Sequence, residues 1–449
     1  MARNRSRLIL SFALPAMIEN LLQTLVGFVD TLFVSRISLS AVTAVGAANM
    51  ILAVYLAVFM AIGIGTSSLI AKSIGAGDLT RARSAARQST FIAVFSSLLA
   101  GLLALFAGRP LLILLGARGT VFSQALPYFE IIAVPSFIMA LMIHLGNVLR
   151  ASGDTRSPMR ISFIINLVHL ALDYLLIFGF SIFPGFGVSG AAVATILSRL
   201  VGVLLLWHLL RHSVIKFSFS RKTVSDERVM RQMIIRLTLP AAAERLIMRL
   251  GQVVYLGMIL RMGSEIYAAN MIAETIETFA YLPGLGLSVA ATILVGKALG
   301  AGQNKMAKKD GYQTVRLGVI IMSLSGIALF IGTPLITAWF TGEQPVEQMI
   351  TLAMRIDAFF MPPLAIGLVL AGALQGAGDT KSPMYSTAIG MWGIRVLFIY
   401  LLGIRCHMGI AGIWLAQGID LSCKAIFLHF RFQALFRRKN GFQLKYGNR

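Results

Sequence analysis

Long apolar runs, each closed by a short polar stretch, recur from one end of this chain to the other. A helix needs roughly 20 consecutive apolar residues to cross a lipid hydrocarbon core. Twelve runs meet that demand, near 10–35, 43–71, 89–109, 124–149, 161–180, 190–210, 233–260, 265–295, 313–340, 347–374, 384–403 and 409–430. Inside lipid only helices and closed barrels satisfy their own backbone N–H and C=O groups. A barrel would show short segments of alternating hydropathy, and these runs do not alternate. The pattern predicts an all-α integral membrane protein with 12 transmembrane helices. The opening "MARNRSRLIL" is basic and then apolar, like a secretory leader. Its stretch is too long and no small-residue cleavage site follows, so it is expected to stay as the first membrane helix.

The polar stretches carry a repeat. "LRASGDTRSPM" (Leu149–Met159) returns as "LQGAGDTKSPM" (Leu374–Met384), "LIAKSIGAG" as "LVGKALGAG", and "LPAMIE" as "LPAAAE". Asp154 and Asp379, Lys72 and Lys297, and Pro15 and Pro240 are all 225 positions apart. Each half holds six spans, an even number, so both enter the membrane in the same direction. Two six-helix lobes related by a parallel repeat around a central cleft follow, a transporter plan in which one bundle rocks against the other. The expected divisions are an N-terminal lobe over 1–215, a cytoplasmic linker over 216–232, a C-terminal lobe over 233–433 and a basic cytoplasmic tail over 434–449.

Composition agrees. The chain is 57% hydrophobic and 13% charged, against about a quarter charged in soluble domains. The net charge of +22 would point to nucleic acid in a soluble protein. Here Lys and Arg gather in short loops on one side, about 28 against about 5. That asymmetry sets orientation, places both termini in the cytoplasm and implies no nucleic-acid partner. Cys406 and Cys423 make neither a disulfide framework nor a metal spacing. No HExxH, GxSxG or phosphate-loop motif is present, so no enzyme, metal or cofactor is expected.

Ionisable groups inside spans are functional candidates. Asp30 lies near the outer end of span 1. Asp173 lies about 18 Å along span 5, so both acids fall in the outer part of one lobe. His169 is four residues before Asp173 on the same helical face, and Asn166 is one turn earlier. The repeat partner of Asp30 is Tyr255 and that of Asp173 is Phe398. A carboxylate needed only for folding would be expected in both halves, so the pair reads as proton-responsive. Burial favours the neutral carboxyl, whereas water or a nearby cation favours the charged one. A site whose hydration changes between two conformations therefore exchanges protons against a cation. Glu274, Glu277, Arg249, Arg395, Asp420 and Lys424 of the second half nearly balance in sign and read as internal ion pairs. Pro15 reads either as a hinge in span 1 or as a first-turn proline. Met139 and Met258 read either as an adaptable wall for apolar ligands or as packing.

"VDTLFVSRISLSAVTAVGAANMI", "GAGD", "LRASGDTRSPM", "LDYLLIFG" and "GVSGAAVATILSRLVG" together resemble the multidrug and toxic compound extrusion (MATE) family, over essentially the whole chain. The likeness is greatest to its bacterial DNA-damage-inducible (DinF) branch. The resemblance implies a secondary active multidrug exporter in the cell inner membrane, antiporting amphipathic, often cationic compounds against H⁺ or Na⁺ by alternating access, and a monomer. Asp30 matches the family's proposed protonation site, Asp173 the acid of "LDYLLIFG", Pro15 the proline where span 1 bends, and Thr195 a polar partner. Position 169 is commonly Asn in the family and is His here. Sodium-linked members carry acids where this chain has Met248 and Leu364. That departure favours H⁺ as the coupling ion. Sodium coupling, and a flippase for a lipid-linked saccharide, stand as alternatives.

Overall fold

The computed structural model describes residues 2–180, 183–216, 227–340 and 342–437. Positions 217–226 of the expected linker and 438–449 of the expected tail lie outside the described residues. The first half contains α1 (Ala2–Ser35), α2 (Leu39–Gly75), α3 (Leu79–Leu114), α4 (Gly119–Ala133), α5 (Ser136–Ser152), α6 (Arg156–Phe178) and α7 (Gly187–His212). The second contains α8 (Glu227–Leu260), α9 (Ser264–Gly300), α10 (Asn304–Thr337), α11 (Gln344–Gly376), α12 (Lys381–Ala388), α13 (Val396–Phe398) and α14 (Gly409–Arg437). Two π-helical stretches, Ile389–Arg395 and Ile399–Arg405, flank α13 within one span. The only sheet among the described residues pairs Gly179 with Pro184 and Phe180 with Phe183.

Ten helices are long and apolar enough to cross a membrane. The pair α4 and α5, bent by 50°, makes an eleventh. The twelfth is α8, 34 residues long, whose Arg231, Arg236, Glu244, Arg245 and Arg249 lower its hydropathy. The fold is all-α, with twelve membrane helices in two six-helix lobes. The repeat is carried in the element bounds: α1 and α8, and likewise α2 and α9, begin and end 225 positions apart.

Contacts divide the chain into one unit of Met1–Met17 with Ala243–Arg449 and another of Ile18–Ala242. The first half of α1 therefore belongs with the second-half helices, and the first half of α8 with the first-half helices. Both changes follow a proline inside the helix, Pro15 in α1 and Pro240 in α8. Since α1 begins at Ala2, Pro15 is an interior residue, not one of the first turn. Arg5 holds its half of α1 to α10 by donating to Asp310 at 2.7 Å. Arg87 of α3 pairs with Glu227 of α8 in the corresponding way.

Local chemistry explains the repeated motifs. In "ASGDTRSP", Gly153 ends α5 at φ 108, a left-handed conformation that glycine adopts without a Cβ penalty. Asp154 then accepts a bond from Ser157 N at 2.9 Å, satisfying an early donor of α6. Gly378 (φ 82) and Asp379, which accepts from Ser382 N at 3.0 Å, repeat the device. Close packing uses small residues on alternate sides of an equivalent contact. Gly63 of α2 lies beneath Asn147 of α5, whereas at the repeated positions Gly372 of α11 lies beneath Ser288 of α9.

Glu19 is the best-partnered buried acid. Arg150 Nη1 donates to both of its oxygens at 2.7 Å, and Ser162 Oγ donates at 3.3 Å. Breaking such a pair leaves one uncompensated charge, costing about 3–5 kcal/mol, whereas removing both partners together is often nearly neutral. Glu19→Leu and Arg150→Met are each expected to lower the denaturation midpoint in detergent strongly. The double variant is expected to be more stable than either single one; additive losses would contradict the pairing.

Candidate functional site

Three helices of the Ile18–Ala242 unit meet at one polar cluster. α1 brings Asp30 near its C-terminal end, α6 brings His169 and Asp173 one turn apart, and α7 brings Thr195, Ser198 and Arg199. His169 Nε2 lies 3.1 Å from both carboxylate oxygens of Asp30 and 3.4 Å from Asp173 Oδ2. On the other edge of the ring, Nδ1 is 3.2 Å from Ser198 Oγ. The side chain of Asp30 is 36% exposed, that of His169 8% and that of Asp173 1%.

The proton inventory is tight. Ser198 Oγ lies 3.0 Å from Thr195 O; when its proton goes there, the hydroxyl oxygen accepts from His169 Nδ1–H. A neutral imidazole protonated at Nδ1 would turn the lone pair of Nε2 toward three carboxylate oxygens, all of them acceptors. A proton therefore stands between the ring and the two acids: it is Nε2–H where Ser198 donates to Nδ1, or a further proton on Nε2 or on a carboxyl where Nδ1 carries its own. Both oxygens of Asp173 lack a hydrogen-bond partner among the described residues, and Oδ2 lies 3.4 Å from the imidazole. Ligand atoms of Asp30, His169 and Asp173 all lie within 4.8 Å of one another, a spacing that can also hold a cation.

Other sequence candidates fall elsewhere. Asn166 lies one turn from His169, and its Nδ2 has no partner. The Thr195 hydroxyl bonds back to Ala191 O at 2.9 Å, so Thr195 serves the cluster only through its carbonyl. Tyr255 is in the other unit, donating to Glu274 Oε1 at 3.0 Å. Met139 packs in an apolar cluster with Phe59 and Ile62, and Met258 packs against the second-half core. Ser198 and Arg199 were not singled out in the sequence. Arg199 lies within electrostatic reach of Asp30 and Tyr128, and its buried Nη1 has no hydrogen-bond partner among the described residues. The signal for both was present: Ser198 is one helical turn from Thr195, and Arg199 is a basic residue deep within an apolar span.

Twelve membrane helices in two repeated halves are the plan of a multi-pass transporter. A family model described as MatE matches residues 15–175 and 240–401, one block in each half. The chain belongs to the MATE family of membrane transporters. Similar proteins include the "Probable multidrug resistance protein NorM" of Thermotoga maritima, 32% identical and covering 92% of this chain and 89% of its own. A "FAD transporter" of Shewanella oneidensis is 28% identical over 92% of this chain and 91% of its own. The fold matches a solved outward-facing multidrug resistance MATE family transporter with a TM-score of 0.90, at 24% identity, over 96% of this chain and 97% of the other.

The two hydroxyls of α7 should separate in a stability measurement. Ser198→Ala leaves the buried Nδ1 of His169 without its hydroxyl partner and is expected to cost about 1–3 kcal/mol. Thr195→Val removes only a bond internal to its own helix and should stay within about 0.5 kcal/mol. Urea denaturation in detergent reads both; equal losses would remove Ser198 from the cluster.

Proposed function

We propose that this protein is an H⁺-coupled multidrug exporter of the cell membrane, moving amphipathic, often cationic compounds outward while protons move inward. The observation that carries the reading is the single His169 Nε2 facing carboxylate oxygens of both Asp30 and Asp173 at 3.1–3.4 Å. The names of its multidrug-resistance relatives support the substrate class. The His at position 169, where the family resemblance leads one to expect Asn, supports protons as the coupling ion. An imidazole supplies an exchangeable proton at the centre of the cluster, where an amide supplies none.

The mechanism follows from linkage. With the proton absent, the cluster is negative and a cationic substrate lowers its energy. With the proton present, that attraction falls and the substrate leaves. A site that binds both in turn, and changes its access between them, exchanges one for the other. Pro15 is the hinge in this reading, because the helix that carries Asp30 changes units directly after it. The chain acts as a monomer with both termini in the cytoplasm, and its placement in the DinF-like branch goes with the proton-coupled reading. A sodium-coupled exporter is the second reading, favoured by the 4.8 Å cluster of two acids and a histidine. A flippase for a lipid-linked saccharide is disfavoured, since Arg395 and Lys424 are committed to Asp420.

Ethidium efflux from everted vesicles under an imposed pH or Na⁺ gradient tests the proposal. Asp30→Asn and Asp173→Asn each remove a charge-assisted contact worth roughly 1.5–3 kcal/mol, and proton-driven efflux should fall about tenfold or more in both. Efflux at the wild-type rate in both variants would discard the site, and efflux driven by Na⁺ alone would discard the coupling ion.

A further inference from the structure

A cavity of about 430 Å³ opens between α10 and α11, within the unit that contains Ala243–Arg449. It runs from Gln344, the first residue of α11, past Glu347 and Thr351 to Arg355, about three turns along. Pro334 of α10 lines the opposite side. The connection 338–343 at this end of the two helices has no Lys or Arg. The cavity therefore lies on the side away from the basic loops, the outer face in the orientation proposed above.

Arg355 is exposed on the surface of α11. Its guanidinium lies over the ring of Phe330, 5.3 Å from the centroid, and no carboxylate pairs with it among the described residues. Asp357, two residues on, is buried and belongs to another face of the helix. The surroundings of Arg355 are apolar. Leu324, Ile327, Ile331 and Leu335 form an exposed row at helical spacing on α10, and Leu352 and Phe359 flank Arg355 on α11. A continuous apolar face of this kind on a membrane helix is covered by lipid. An arginine beside lipid chains is costly unless an anion meets it, and the anion that a bilayer itself supplies is a phosphodiester.

Glu347 sets the other end. It lines the same cavity about two turns nearer the water than Arg355, and its Oε1 is 3.4 Å from the Thr337 hydroxyl. From the water inward, the groove thus presents a carboxylate, then a guanidinium, then apolar side chains. A phospholipid with an amine in its headgroup presents an ammonium, then a phosphate, then acyl chains. The two orders are complementary. One positive and one negative side chain favour a zwitterionic headgroup over an anionic one. A carboxylate favours an ammonium that has N–H donors over a trimethylated one. Neither charge belongs to the shared scaffold, since the residues 225 positions before Glu347 and Arg355 are Phe122 and Glu130.

We propose that the cavity between α10 and α11 binds one phospholipid of the outer leaflet by an ethanolamine headgroup, with the phosphate on Arg355, the ammonium on Glu347 and the acyl chains along the exposed row of α10.

Native mass spectrometry of the purified, delipidated full-length protein tests this, with phosphatidylethanolamine, phosphatidylcholine and phosphatidylglycerol of identical chains added in detergent. The wild type should hold the ethanolamine lipid about tenfold more tightly than either of the others. Arg355→Gln should weaken that lipid about tenfold. Glu347→Gln should erase the preference while leaving the choline lipid bound as before. Equal binding of all three lipids by the wild type, unchanged binding in Arg355→Gln, or wild-type selectivity in Glu347→Gln overturns the proposal. Displacement of the lipid by equimolar phosphoethanolamine also overturns it, assigning the cavity to a free phosphate ester. The Glu347→Gln comparison decides alone if Arg355→Gln does not fold. The readout is binding and does not depend on the coupling ion. A wild type that selects the ethanolamine lipid yet exports no ethidium under a pH gradient fails the earlier reading and supports this one.

Discussion

One proton, required where His169 meets Asp30 and Asp173, constrains the first half of this protein. Without it, an imidazole lone pair would face three carboxylate oxygens across 3.1–3.4 Å. With it, the contacts to Asp30 become charge-assisted hydrogen bonds, the stronger kind. Ser198 Oγ lies within hydrogen-bond distance of both Thr195 O and His169 Nδ1, so it holds the far edge of the ring while Nε2 faces the acids. Exposure grades the cluster from the buried Asp173 to the one-third exposed Asp30.

The duplicated halves show which features are scaffold. Helix bounds, the Gly–Asp caps and the prolines of α1 and α8 recur at one spacing. Charges do not recur in the same way. Glu19 is neutralised by Arg150, while its counterpart Glu244 faces Gln375 and Thr387, with Arg245 beside it. Asn147 over Gly63 in one half becomes Gly372 under Ser288 in the other. A close helix contact tolerates the exchange because it needs one small residue, on either side. A buried charge tolerates no such exchange without a new partner, so the two halves rebuilt their polar interiors separately.

Much of this was legible in the sequence. Runs of apolar residues gave the spans, because lipid imposes a length on them, and α8 was found despite its five internal charges. Asp30, His169 and Asp173 could be grouped because two share a helical face and the third stands at the same depth. Pairings across helices were not legible: nothing in the spacing of Glu19 and Arg150, or of Arg395 and Asp420, reveals contact over distances of 131 and 25 residues. Ser198 was passed over because serine in a span bonds to its own helix as readily as across helices. The division of α1 and α8 between units was equally hidden, since a proline marks where a helix can yield and not where its two ends pack.

That division decides how the two ends of α1 are held. Residues 2–17 of α1 are held with the second-half helices, by Arg5 on Asp310 and by Met17 against Gly286. Residues 18–35 are held with the first-half helices, where Asp30 meets His169. The N–H that Pro15 lacks removes one rung of the backbone ladder next to the change of unit. Any shift in the hold of His169 on Asp30 therefore acts on a helix anchored at both ends and weakened between them. A bend at that point relieves the mismatch at the lowest cost, because no other turn between the two anchors has lost a backbone bond to proline. Pro240 gives α8 the same weak turn, but there position 255 is a tyrosine bonded to Glu274. The two helices thus differ in chemistry beyond their prolines: α1 carries its own acid, Asp30, whereas α8 carries a tyrosine bonded to an acid of its neighbour.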